Sequence, residues 1–431
     1  MNQAEDHSLL YGRGRIRLRL PATADVTVVR KGSLAKVPDP AAAIRGALAN
    51  PIAAPSPRDL AKGRRSACIL ICDITRPVPN RLFLRPMIES LIDGGLPREA
   101  ISVLVATGLH RPNLGDELAE LVGDPWVLEN IRVENHNARD EVKHVNLGRT
   151  RTRGTPVKLN RLFVEADLKI ATGLVEPHFM AGWSGGRKVV APGVAHHETI
   201  RTFHSARFME DPLAVQCNLV GNPLHEEQLE IVRMLGDVYG LNTVLDEERN
   251  LVFVSFGEIV ASHAAAVEFV SGATRVGLPR RFSTVVTSSA GYPLDKTYYQ
   301  TIKGMVTPLA ILEPGGTLII ASECSEGFGS QEFREAQTRL IALGQERFLA
   351  TLTAKTLAEV DEWQTEMQLK SLRLGRVELY ASGLTATDQA ITGVHVVSDL
   401  DSAIAASIER SRDPAVAVIP EGPYVIPYYA A

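Results

Sequence analysis

The chain has 431 residues, 45% of them apolar and 22% charged, which suits a folded protein of two or three domains with ample material for apolar cores. A formal net charge of −4, with no dense Lys/Arg stripe, argues against nucleic acid as a partner. No apolar stretch reaches the ~18 residues of a membrane span, and the N-terminus lacks the basic-then-apolar pattern of a secretory leader, so a cytoplasmic protein without membrane association is expected. Cys68, Cys72, Cys217 and Cys324 form neither a CxxC nor a dense framework, which fits reduced thiols.

Short apolar runs alternate with longer amphipathic stretches, the pattern of an α/β architecture with mainly parallel strands. ACILICD (67–73) reads as a strand buried on both faces, followed by a helix in RLFLRPMIESLIDGG. ISVLVATG (101–108) and LKIATG (168–173) are further strands, with VKLNRLFVEAD before the second as connecting structure. Segments 204–219 and 221–240 read as helices, with Pro223 and Gly240 at the boundaries of the second. A second series begins near residue 280. It comprises a strand over 283–291, a helix over 297–316, a strand over 317–324, two charged amphipathic helices, and strands in VELYASG, VHVVSDL and VAVIPEG. Two α/β domains with mainly parallel sheets are therefore expected, spanning 1–275 and 276–431, with the active site in the cleft between them.

Three strands of the first series run into similar polar sequence: Asp73-Ile-Thr75-Arg76-Pro, Leu109-His110-Arg111-Pro, and Leu174-Val-Glu176-Pro-His178. Open parallel sheets bind ligands outside the carboxyl ends of their strands, so Asp73, Arg76, His110, Arg111 and His178 can converge although distant in sequence. Each histidine alone reads equally as a hydrogen-bonded structural group. Two of them after matching ATGL strand ends make a functional role an even alternative. Asp73 and Thr75 suit turn or helix caps as well as ligand contacts, and Arg76 or Arg111 would clamp a carboxylate better than a lysine.

The next segment, HFMAGWSGGRKVVAPGVAHHETIRTFHS (178–205), carries Gly182, Gly185 and Gly186 ahead of Lys188. Such glycines admit a ligand close to the backbone, yet the pattern is neither GxxxxGK[ST] nor GxGxxG, and a tight turn with a solvated lysine fits equally. His196, His197 and His204 invite a metal. His197 and His204 would share a face of a continuous helix, but zinc signatures are missing and a single imidazole needs ligands from elsewhere.

Taken together, DITRP (73–77), GLHRPN (108–113), EPHFMAGWSGGRK (176–188), His204 and YYQTIKG (298–304) resemble the nickel-dependent lactate racemase family over essentially the whole chain. The resemblance implies a nickel-pincer nucleotide, a pyridinium-3-thioamide-5-thiocarboxylic acid mononucleotide. Lys188 would be its covalent anchor and His204 the nickel ligand, with Asp73, Thr75, Arg76, Gly185 and Gly186 near the cofactor. It implies a first domain that binds cofactor and a second that contributes substrate contacts. Its chemistry is racemisation or epimerisation at C2 of a 2-hydroxy carboxylate by reversible hydride transfer, through a 2-oxo acid. His110 and His178 would be the proton-transfer residues, and Arg76, Tyr299, Gln300, Lys303 and Trp363 would bind substrate. Trp363 suits domain packing equally well. Cofactor-synthesis enzymes are the implied partners. Arg111 or Lys296 would serve a second acidic group if the substrate were a dicarboxylate. An NAD-dependent hydroxy acid dehydrogenase is disfavoured because no strand runs into GxGxxG with an acidic residue ~20 positions on. A non-catalytic cofactor carrier would not need the two histidines.

Overall fold

The computed structural model describes residues 7–246 and 248–430. They form two compact units, one of residues 33–203 and 212–272, the other of residues up to 32, 204–211 and those from 273 on. Both are mixed α/β with mainly parallel six-stranded sheets, as the alternating pattern predicts. Among the described residues, no helix is long and apolar enough to cross a membrane.

In the first unit the sheet runs Leu251–Glu258, Tyr239–Leu245, Leu168–Leu174, Ala67–Cys72, Ile101–Ala106, Arg132–Asn135. All neighbours are parallel except the first pair. The Ala67 strand is followed in sequence by the Ile101 strand on one side, while the Leu168 strand arrives on its other side. The direction of winding therefore reverses between the Ala67 and Leu168 strands, and such a reversal opens a crevice at the strands' carboxyl ends. Ile69, Ile71, Val103, Val105 and Ile170 are fully buried and pack with Phe83, Leu84, Met87 and Ile88 of helix Asn80–Asp93. Near-continuous apolar runs are what a sheet covered on both faces requires.

The second unit's sheet runs His395–Val397, Arg376–Tyr380, Leu312–Ala321, Phe282–Ser288, Ala415–Ile419, Asp25–Val28, parallel throughout. Its last strand comes from near the N-terminus, which the local pattern around residue 25 did not announce.

Five local expectations are corrected. Segment 221–240 is helical only over Pro223–Arg233, and Gly240 lies inside the strand Tyr239–Leu245 rather than at a helix boundary. Segment 204–219 is helical only over Ala206–Met209. Pro212 follows, and the Asn218 and Asn222 amides donate to the carbonyls of Leu213 and Met180, so turns replace helix. The helix predicted for 297–316 ends at Val306. A tighter turn containing Pro308 follows, and the strand Leu312–Ala321 begins earlier than expected. Part of the segment read as connecting, Pro156–Asn160, is a strand in an antiparallel hairpin with His144–Arg149. Finally, His197 and His204 share no continuous helix, because helix His197–Phe203 stops one residue short.

Candidate active site

Asp73 leaves the Ala67 strand at its carboxyl end and is almost wholly buried. Its Oδ1 accepts the Thr75 hydroxyl at 2.5 Å, and its Oδ2 lies 2.5 Å from Nδ1 of His110, which follows the neighbouring strand. Burial works to raise the Asp73 carboxyl, but the His110 ring, the Thr75 hydroxyl and the Arg76 charge hold it below the usual carboxylate range. An ionised Asp73 accepts the proton of Nδ1, which leaves Nε2 of a neutral His110 ring with its lone pair. The ring is 62% exposed, so that lone pair is accessible.

His178 stands after the Leu168 strand, in a short hairpin where Pro177–His178 pairs with Gly182–Trp183. Its Nδ1 accepts the backbone N–H of Met180 at 3.3 Å and of Ala181 at 3.2 Å. The lone pair on Nδ1 is thereby used, so a neutral ring carries its proton on Nε2. The contacts at Nδ1 are thus of opposite kind in the two histidines, a carboxylate acceptor at His110 and amide donors at His178. Arg76 Nη1 reaches Glu176 Oε1 at 2.5 Å, tying the turn after the Ala67 strand to the segment after the Leu168 strand.

The glycine loop is built by the same hairpin. Ser184 exchanges backbone and hydroxyl hydrogen bonds with Glu176 and Leu174, which turns the chain back on itself. Gly185 and Gly186 follow at φ +74 and +49. A Cβ on Gly185 would fall 2.8 Å from Val175 Cγ2, and one on Gly186 2.8 Å from the His263 ring, so neither position admits a side chain. The Gly186 amide donates to Asn242 Oδ1 at 3.0 Å. Arg187 is buried. Its Nη2 donates to the Ala181 carbonyl at 2.7 Å, and its Nη1 lies 3.0 Å from His263 Nε2. Burial alone pushes the guanidinium down to about 9, which leaves it charged at neutral pH. Lys188 is half-buried at the start of the next short helix and near enough to Cys72 for its charge to act on that thiol. Burial nonetheless dominates there and pushes the Cys72 thiol up to about 12, so Cys72 is no nucleophile.

In the other unit, Tyr299, Gln300 and Lys303 lie on helix Tyr298–Val306, which Thr297 caps. Trp363 opens helix Glu362–Leu374, and Gln364 Nε2 donates to the Tyr299 carbonyl at 2.7 Å, so the two helices are joined where these residues stand. His204 is buried with its ring 4.9 Å from that of Trp363. Burial raises the Tyr299 phenol well above its ordinary range, and Asp361 adds to it.

The structure therefore joins Asp73, Thr75 and His110 directly, and Arg76 to its neighbour strand through Glu176. Arg111 is instead held by both oxygens of Glu117 at 2.6 and 2.8 Å, and Lys296 by Glu326 at 2.5 Å. Glu176, Arg187, Asn242 and His263 were not singled out from sequence. The first two stand inside the 176–188 motif and offered a signal. Asn242 and His263 offered none, since the glycine-loop residues they meet lie more than 50 residues away.

The chain matches two family models, the lactate racemase N-terminal domain over residues 11–216 and the lactate racemase C-terminal domain over residues 280–426. It is 30% identical to the lactate racemase of Thermoanaerobacterium thermosaccharolyticum over 96% of this chain and 97% of that one. It is 31% identical to the lactate racemase of Lactiplantibacillus plantarum over 89% of this chain and 90% of that one. The solved structure of the T. thermosaccharolyticum lactate racemase apoprotein superposes with a TM-score of 0.89 at 28% identity, covering 98% and 99% of the two chains. A protein from Thermotoga maritima shares the fold alone, with a TM-score of 0.63 at 17% identity. The chain belongs to the lactate racemase family.

Proposed function

We propose that this isomerase inverts the configuration at C2 of a small 2-hydroxy carboxylate, with lactate the first substrate to test. The observation that supports this most directly is the Asp73–His110 pair, a buried carboxylate orienting an exposed imidazole at the carboxyl ends of two strands beside the Leu168 strand, which leads to the Lys188 loop. The residues fit a nickel-pincer nucleotide. Lys188 is a half-buried amine on the short helix after the glycine turn, near the strand end at Cys72, and His204 is a buried imidazole suited to nickel. Lys188 would carry the covalent link, His204 would ligate the metal, and Arg76 with Gly185 and Gly186 would border the cofactor, with Asp73 and Thr75 supporting from behind. When bound, that group supplies a reversible hydride acceptor for C2 of the substrate.

The rest falls to this chain's own residues. Oxidation of the hydroxyl carbon requires the hydroxyl proton to leave, and His110 Nε2 is its acceptor. The imidazolium so formed is stabilised by ionised Asp73, and the proton returns to the oxygen when C2 is reduced from its other face. His178, with its proton on Nε2, is set to donate a hydrogen bond to the same oxygen. To act as a base it must first give up both amide contacts on Nδ1. Lys303 and Gln300, three apart on one helix, bind the substrate carboxylate, with Arg76 a further cation for it and Tyr299 and Trp363 as apolar walls. Cofactor-synthesis enzymes are the partners this reading requires.

The test is a chiral assay of protein co-produced with the cofactor-synthesis enzymes, across lactate, malate, longer aliphatic, aromatic and sugar-derived 2-hydroxy acids, alongside intact-mass measurement. Interconversion of one enantiomeric pair with a mass adduct at Lys188 is expected. Full activity with Lys188 unmodified, or activity only on addition of NAD, would overturn the reading.

A further inference from the structure

A second group of imidazoles, none of them assigned a role above, lies in the unit of residues 33–203 and 212–272. The turn Glu141–Lys143 leads into the His144–Arg149 strand, and the backbone amides of His196 and His197 bond to the carbonyls of Lys158 and Ala138. This stitching gathers His136, His144, His196 and His197 into a chain of ring contacts with centroids 5.2, 4.9 and 4.2 Å apart. One ligand atom from each of Glu141, His196 and His197 lies within 4.8 Å of the others. We propose that Glu141, His196 and His197 form a binding site for a divalent transition ion of the zinc type, separate from the cofactor.

Two observations carry it. First, two imidazoles and a carboxylate, with positions left for water, are the donors such an ion takes. Second, the site has buried polar atoms without a matching partner. His196 is 1% exposed, and although its Nε2 lies 2.9 Å from Glu141 Oε1, it makes no aligned hydrogen bond. His144 Nδ1 donates to the Asp140 carbonyl at 2.6 Å, which leaves its buried Nε2 with a lone pair and no hydrogen-bond partner beside the His196 ring. A buried imidazole fixed this way, by a carbonyl on its far nitrogen, has the arrangement of a metal ligand or of its immediate neighbour.

Two features oppose binding and set its strength. His196 Nδ1 accepts the Glu198 amide at 3.2 Å, and ligation through Nε2 forfeits that long contact by moving the ring proton. Lys158 sits 2.9 Å from Glu198 and 3.6 Å from Glu141, so an entering ion must displace it from the second carboxylate while the first retains it.

The experiment is calorimetric titration of Zn2+ into untagged, cofactor-free full-length protein, repeated for Glu141→Gln, His197→Ala and His204→Ala, with Co2+ absorption as a second readout. The expected result is one equivalent of Zn2+, with affinity falling at least ~10-fold in Glu141→Gln and His197→Ala and unchanged in His204→Ala. Because Glu141 is exposed, its substitution tests ligation without threatening the fold. No Zn2+ uptake by the wild type, or uptake insensitive to both ligand substitutions, would overturn the proposal. Loss confined to His204→Ala would do so as well.

Discussion

The two units share an architecture and differ in where they keep their chemistry. In the unit of residues 33–203 and 212–272, the groups proposed to act on cofactor and substrate follow the carboxyl ends of parallel strands, and hydrogen bonds from neighbouring loops or strands hold them: Asp73 to His110, Arg76 to Glu176, Gly186 to Asn242. In the other, the groups stand on helices, and helix packing positions them: Tyr299, Gln300 and Lys303 on one, Trp363 on another, joined through Gln364. Loops tolerate the sharp turns and tautomer-specific contacts that proton transfer and covalent attachment need. Helix faces suit recognition, where a cation and an amide one turn apart must present to a single carboxylate.

If that division of labour is right, substitutions in the loop unit act mainly on kcat and those on the helices mainly on KM. The largest effect is expected for Lys188→Ala: no covalent adduct by intact mass, and isomerisation at background. Next comes His110→Ala, with kcat lower by ~10²–10⁴-fold in both directions. His178→Asn, which retains a donor, should cost less than His110→Ala. Equal losses, or losses confined to opposite enantiomers, would show that His178 exchanges its tautomer and acts as a second base. Lys303→Ala should raise KM ~10–100-fold, the scale of a charged hydrogen bond worth ~1.5–3 kcal/mol. A pure kcat defect would place Lys303 with the loop residues and break the comparison.

The smallest effect concerns stability in the helical unit. Glu366 is buried on helix Glu362–Leu374, and burial, with the nearby Glu210 charge, pushes its carboxyl up to about 8. A folded-state value above the unfolded 4.5 means that its contribution to stability is complete below that pH and is lost as pH rises through about 8. Thermal unfolding between pH 5 and 9 should show a steeper fall in Tm for the wild type than for Glu366→Gln, by a few degrees at ~2–4 °C per kcal/mol. Parallel curves would mean that Lys370, whose own charge burial disfavours, neutralises the carboxylate in place.

Much of this was legible in the chain. The strand ends at Asp73, His110 and His178 could be placed because each follows a near-continuous apolar run, and such runs mark strands covered on both faces. The segment 204–219 misled because its apolar spacing is helical, while Pro212 and two asparagine side chains that compete for backbone carbonyls decide for turns. The Asp25–Val28 strand was invisible because four residues carry too little periodicity, and its partner lies at Ala415–Val418.

By itself, then, the sequence determined the alternation of strands and helices, the glycine pair ahead of Lys188, and the residues that mark the family. These are properties of neighbours along the chain, where period and backbone sterics act. Tertiary structure alone decided that Asp73 meets His110, that the His178 Nδ1 lone pair is taken by two amides, and that Arg187 lies buried against His263. Protonation state depends on which partner faces each nitrogen and on how much water remains. Even for His178, whose amide donors are only two and three residues on, it is the fold of the hairpin that aims them at the ring.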